Sequence, residues 1–165
     1  MSIDKKHWLK LAKAIQGEKA IMGYRNTAEN LEKLYREKLA VAFFDEDDGI
    51  VVFGGLWNTI DDGFLEAGSF WVHSKHRNKK YSSEMFQTLT SLIPEKKTAI
   101  LITHVDKVVH LMEKNQWTEV MAGGWEEKVP FRVSCGPCDV VSEEEKKTCI
   151  YRGDKKHCRM FLKVG

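Results

Sequence analysis

Residues 64–86, FLEAGSFWVHSKHRNKKYSSEMF, set the terms for the rest of the chain. Phe64 to Val72 is an apolar run of strand length, His73 to Lys80 is a basic turn, and a helix is expected from Tyr81. A strand that feeds a polar loop at the start of a helix is a ready anion site. The first backbone N–H groups of a helix have no internal partner and carry the positive end of its dipole. Lys75, Arg77, Lys79 and Lys80 add cationic side chains at that end. Taken alone, the stretch fits a solvated basic loop before an amphipathic helix better than an anion site, so its neighbours must decide.

Those neighbours read as alternating helices and strands. Apolar side chains at Trp8, Leu9, Leu11, Ala12, Ala14 and Ile15 give a helix over residues 4–15, with Lys5, Lys6, Lys10 and Lys13 on its wet side and Gly17 at its end. Asn26 is expected to open a second helix, with Glu29 three residues on as in a capping box, running to about Lys38. The period then shortens. Leu39 to Phe44 and Ile50 to Trp57 are apolar runs, separated by a turn that closes in Asp48-Gly49, a strong hairpin pattern. The turn's DEDD cluster lacks the spacing of a calcium loop and is read as turn chemistry. With Phe64 to Val72 these runs predict a three-stranded antiparallel meander. A helix follows from Tyr81 to Leu92, stopped by Pro94. Thr98 to Thr103 is an apolar strand. After a strand–helix connection it should lie parallel to Phe64–Val72. Val105 to Lys114 reads as a helix. Trp117 to Met121, Trp125 to Val133 and Arg159 to Val164 read as strands.

The 165 residues suit one domain with a real core, and hydrophobic residues at 42% argue against disorder. A net charge of +2 gives no global field for nucleic acid. No apolar run approaches the ~20 residues of a membrane span. The N-terminus lacks the apolar block of a signal peptide, so a cytoplasmic protein with reduced or metal-bound cysteines is expected.

The element order, with its helices on both faces of a mixed α+β sheet and a parallel central strand pair, resembles the GNAT superfamily of acyl-CoA N-acyltransferases. FFDEDDGIVVFGG is similar to that family's second hairpin. FLEAGSFWVHSKHR is similar to its fourth strand and the start of its acyl-CoA loop, and ILITHVDKVVHLMEKNQW to its fifth strand and next helix. The resemblance implies acetyl-CoA as cosubstrate, bound through Phe70, Val72, Arg77, Asn78, Lys79, Lys80, Tyr81 and Ser82. It implies Glu66 as general base on an amine-bearing acceptor. The family's loop pattern R/Q-x-x-G-x-G/A is only partly kept. Arg77 matches its first residue, while Lys80 and Ser82 stand where glycines are usual. Met112 stands where the family's acid tyrosine is usual and Gln116 replaces a glycine, with His104 and His110 as substitutes within sequence reach. These departures keep a second class open, a catalytically inactive GNAT-like module that binds protein or nucleic acid.

Cys135 and Cys138 (C-G-P-C), Cys149 and Cys158 fall in a stretch at about 134–158 that reads as an insertion in the single domain. A C-x2-C pair with two later ligands, His157 among the candidates, would hold structural zinc and order a segment with little core. The same cysteines also fit reduced thiols or, without the usual βαβ context, a redox pair. Lys146, Lys147, Arg152, Lys155 and Lys156 are expected to be exposed, where they would permit nucleic-acid contact, although Glu143, Glu144 and Glu145 interrupt the basic face.

Overall fold

A computed structural model describes residues 3–18, 25–77, 80–138, 142, 144–152 and 157–165, without the side chains of residues 122 and 147. Six strands, β1 (Ala40–Asp45), β2 (Gly49–Asn58), β3 (Phe64–Val72), β4 (Thr98–Thr103), β5 (Thr118–Val120) and β6 (Arg159–Val164), form one mixed sheet in the order β1-β2-β3-β4-β6-β5. Among the described strand pairs β3–β4 is the parallel one, as expected from the helical connection between them. By contacts the chain divides into two compact units, Met1–Trp57 with Ala67–Pro94 and Asn58–Glu66 with Glu95–Gly165. Among the described residues no helix is long and apolar enough to cross a membrane.

The first unit is built around β2, whose first nine residues are all buried. Helices α1 (Lys5–Gln16) and α2 (Ala28–Arg36) share a core with one face of the strands: Trp8, Leu11, Ile15, Leu31 and Leu34 pack with Phe53, Trp57 and Trp71. Helix α3 (Tyr81–Ser91) meets the other face, where Phe86 lies against Phe70 at 4.5 Å between ring centroids. Two adjacent glycines permit both approaches. A Cβ on Gly54 would sit 2.8 Å from Met85 Sδ of α3, and one on Gly55 would sit 3.2 Å from Leu34 Cδ1 of α2. The β1–β2 turn is fixed by Asp45 Oδ1, which accepts the backbone N–H groups of Asp47 and Asp48, both at 3.1 Å. Gly49 then takes φ +81°, which a side chain would resist.

The expected start of the second helix needs correction. Thr27, not Asn26, is the N-cap, with its hydroxyl accepting Asn30 N–H at 3.2 Å. Asn26 is wholly buried and accepts the Ser69 hydroxyl at 2.6 Å. An Asn one position early satisfies the same cap pattern on paper, but its carboxamide is committed to the core.

In the second unit, β4 pairs with β6 over all six residues of each strand, and β5 extends the sheet from β6. Helix α4 (Asp106–Lys114) buries Val109 and Met112, while Val108 and Leu111 are only half-buried. The strand expected over Trp125 to Val133 is instead two short helices, α5 (Trp125–Lys128) and α6 (Phe131–Ser134). Trp125, Val129 and Val133 are the buried positions, and they pack with Ile100 and Met160. Their spacing of four is helical, and Pro130 caps the second helix rather than interrupting a ladder.

Candidate functional site

Burial along β3 alternates without a break. Leu65, Ala67, Ser69 and Trp71 are buried, while Phe64, Glu66, Gly68, Phe70 and Val72 are half-buried. The faces do not follow the burial, however: a Gly68 Cβ would meet Arg25 and Trp57, on the side of α1 and α2, whereas Phe70 packs on Phe86 of α3. Gly68 and Ser69 both face Trp57, so the shared face expected for Glu66, Gly68, Phe70 and Val72 needs correction. Inside this strand Ser69 has φ +59°, a left-handed conformation that costs a non-glycine residue on the order of 1–2 kcal/mol. A buried network holds it there. Ser69 Oγ accepts Trp57 Nε1–H at 3.0 Å and donates to Asn26. Next to it, the Arg25 guanidinium lies 4.9 Å above the Trp57 ring and 2.8 Å from where a Gly68 Cβ would be. Asn26 stands out in the sequence only as a helix cap, and Arg25 and Ser69 not at all, because nothing local to any of them signals the others.

Beyond Val72 the chain makes a 3₁₀ turn over Ser74–His76. Arg77 folds back on the strand end, donating from Nε to Val72 O at 3.2 Å, and its other arm meets Glu18 Oε1 at 2.6 Å. Asn78 and Lys79 lie outside the described residues. Lys80 is the N-cap residue of α3, exposed, at φ −69° and ψ 8°, an ordinary conformation for a side-chain-bearing residue. Tyr81 and Ser82 follow, half-buried. The Tyr81 ring packs at 5.9 Å from Phe43 and 5.8 Å from His76. A cleft of about 240 Å³ opens beside this region, lined by Lys10, Glu18, Trp71, His73 and Arg77 among others. By charge the turn suits a phosphate group: two cationic side chains flank a helix N-terminus. An incoming anion would have to take Arg77 from Glu18.

Glu66 lies in the short parallel ladder, opposite Ile100. Met112 is wholly buried, and His104 and His110 are exposed.

The turn between β3 and α3 also meets the DEDD turn, a pairing that neither stretch signals on its own. Asp48 Oδ2, from the β1–β2 turn, lies 3.2 Å from His76 Nε2, and Lys75 Nζ is 2.9 Å from Asp48 Oδ1. Asp48, His73 and His76 offer ligand atoms that all lie within 4.8 Å of one another. The Lys75 ammonium, then the His76 imidazole, hold the Asp48 carboxyl down to about 2.

The four cysteines are all free and half-buried. They are near enough to act on each other's ionisation: burial first, then the neighbouring thiols Cys138, Cys149 and Cys135, push the Cys158 thiol up to about 11. A zinc tetrahedron would bring the sulfurs within about 3.8 Å. Among the described residues the one group of three or more ligands at coordinating range is the Asp48 group, so zinc on Cys135, Cys138, Cys149 and Cys158 is not supported by this arrangement. The expected basic surface needs correction too. Lys146 is buried and donates to Gly136 O at 2.7 Å, clamping the C-G-P-C turn. Arg152 is largely covered, paired with Glu126 at 2.9 Å and stacked 5.2 Å from the Trp125 ring. Lys155 and Lys156 fall outside the described residues.

No protein-family model and no curated protein sequence matches the chain. Solved structures do. An acetyltransferase of the GNAT family from Staphylococcus aureus Mu50 is similar with a TM-score of 0.53 at 16% identity, over 96% of this chain and 91% of that one. Diaminobutyrate acetyltransferase EctA from Paenibacillus lautus, solved with L-2,4-diaminobutyric acid and coenzyme A, is similar with a TM-score of 0.58 at 11% identity, over 98% and 91%. A Mycobacterium tuberculosis protein solved with CoA is similar with a TM-score of 0.57 at 13% identity, over 98% and 94%. The chain has the acyl-CoA N-acyltransferase fold, GNAT.

Proposed function

We propose that the protein is an acyl-CoA-dependent N-acyltransferase that moves an acetyl group to an amine. The observation that carries the reading is the β3–turn–α3 segment, a strand with half-buried Phe70 and Val72 near its end that leads into a cationic turn at a helix N-terminus, on a fold whose solved examples include acetyltransferases with coenzyme A bound. Acetyl-CoA would lie along the Phe70–Ser82 edge, from the end of β3 through the turn to the start of α3. Arg77, Lys80 and the first N–H groups of α3 would receive the pyrophosphate. Glu66 would accept a proton from the amine, directly or through a water. The amine nitrogen then attacks the thioester carbonyl carbon, and the Val72 N–H would stabilise the oxyanion. Collapse breaks the C–S bond and releases the thiolate of CoA. A thiol with an ordinary pKa of about 8.5 is a tolerable leaving group without a strong acid, which is relevant because Met112 cannot supply a proton.

A second reading is a GNAT-fold binding module without turnover, favoured by the burial of Met112 and by Lys80 in the coenzyme turn. Calorimetric titration of the full chain with acetyl-CoA tests the first reading. Saturable binding is expected, and no heat at millimolar ligand would sink it. Binding without acetyl transfer to any of a broad amine panel would leave the module.

A further inference from the structure

We propose that Asp48, His73 and His76 form a binding site for a divalent transition metal, zinc by preference, that ties the β1–β2 turn to the start of the β3–α3 turn. The proposal stands independently of acyltransferase activity. Two imidazoles and one carboxylate are a donor set that suits zinc, whose tetrahedral shell places neighbouring ligand atoms about 3.3 Å apart. Asp48 Oδ2 and His76 Nε2 already stand at 3.2 Å, and a ring nitrogen of His73 lies with them inside 4.8 Å. Modest side-chain rotation would complete three of four positions, with water as the fourth ligand.

The scaffold is fixed on both sides. His73 and His76 bracket the 3₁₀ turn, whose three-residue period sets their rings on one side, 5.7 Å apart between centroids. Backbone bonds lock it: His76 N–H donates to His73 O at 2.8 Å, and His73 N–H to Val51 O at 2.8 Å. Asp48 is presented by the turn that Asp45 organises, and its own carbonyl accepts Lys10 Nζ at 3.0 Å. His76 is 5% exposed, so part of the site is shielded from bulk water. Lys75 is the competitor. Its side chain is 69% exposed and holds only Oδ1, leaving Oδ2 toward the imidazoles. It can remain as an outer partner that orients the carboxylate, or swing into solvent. The acidic run Asp45, Glu46 and Asp47 lowers the cost of bringing a second cation close.

The test is a titration of the metal-free full chain with Co2+ and Zn2+. Cobalt should give the visible absorption of a tetrahedral site without a thiolate-to-cobalt charge-transfer band. In 15N spectra of the wild type, the imidazoles of His73 and His76 should shift together with one equivalent of zinc. His73→Gln and His76→Gln should each weaken binding roughly 100-fold, while Cys135→Ser should leave it unchanged. If the His73 and His76 signals stay unmoved up to two equivalents, the proposal is overturned. The same holds if cobalt binds only with the thiolate band, or if both histidine variants, shown to be folded, bind as the wild type does. The three residues would then be an ion-pair network only.

Discussion

Ser69 and Glu66 occupy one strand for different physical reasons. Ser69 is strained and fully hydrogen-bonded, held between Trp57 and Asn26. Replacing it with alanine keeps the left-handed φ but removes both partners, which should cost about 1–3 kcal/mol in chemical denaturation. Ser69→Gly loses the same bonds but relieves the backbone, so it should be more stable than Ser69→Ala by roughly 1 kcal/mol. Equal stability of the two variants would show that the backbone strain carries no weight. Glu66 is half-buried near the start of β3. If it is the proposed base, Glu66→Gln should lower kcat about 10²- to 10⁴-fold with acetyl-CoA affinity unchanged. An unaltered rate would remove it from the mechanism.

At the scale of elements, caps and turns decide where the pieces begin. The Thr27 hydroxyl satisfies one of the first amides of α2, whose apolar face carries Leu31 and Leu34 into the core. Thr27→Ala should destabilise the protein by about 1 kcal/mol, or roughly 2–4 °C in Tm. Asn26→Ala should do more, because it strips the buried Ser69 of its acceptor. The reverse order would show that the buried Asn26–Ser69 bond carries less weight than the cap. The turn before β3 depends on Asp61, which accepts Gly63 N–H at 3.0 Å and pairs with Arg132 at 3.1 Å. The Gly63 amide, then Arg132, hold its carboxyl below the usual 3.8. A carboxyl lowered by folding stabilises the protein above its unfolded pKa, and loses that contribution as pH falls through the folded value. Asp61→Asn should therefore melt below the wild type at pH 7, with the difference closing as pH drops below 3.8. A constant difference across that range would rule out the charge as the cause.

For the whole molecule, linkage is the most direct readout. A ligand at one hundred times its Kd adds about 2.7 kcal/mol, which for a chain of this size raises Tm on the order of 5–10 °C. Acetyl-CoA is expected to produce such a shift. Arg77→Glu should reduce it, because the guanidinium now held by Glu18 is the one proposed to receive phosphate. An undiminished shift in Arg77→Glu would place the coenzyme elsewhere.

Much of the fold could be read from periodicity. Strands Phe64–Val72, Thr98–Thr103 and Arg159–Val164 lie where their apolar patterns placed them, and the parallel pair follows from the helix between its members. These are local properties, set by side-chain spacing and turn chemistry. Trp125 to Val133 forms short helices where a strand is expected, because a short apolar run with a proline fits several templates even when its spacing of four is helical. What only tertiary structure decided is which distant residues meet. Asn26 finds Ser69 across 43 positions, and Asp48 finds His76 across 28. Lys146 turns inward to Gly136 rather than out to solvent. Pairings of this kind depend on sheet register and helix packing, which sum over many weak contacts, so no single residue announces them.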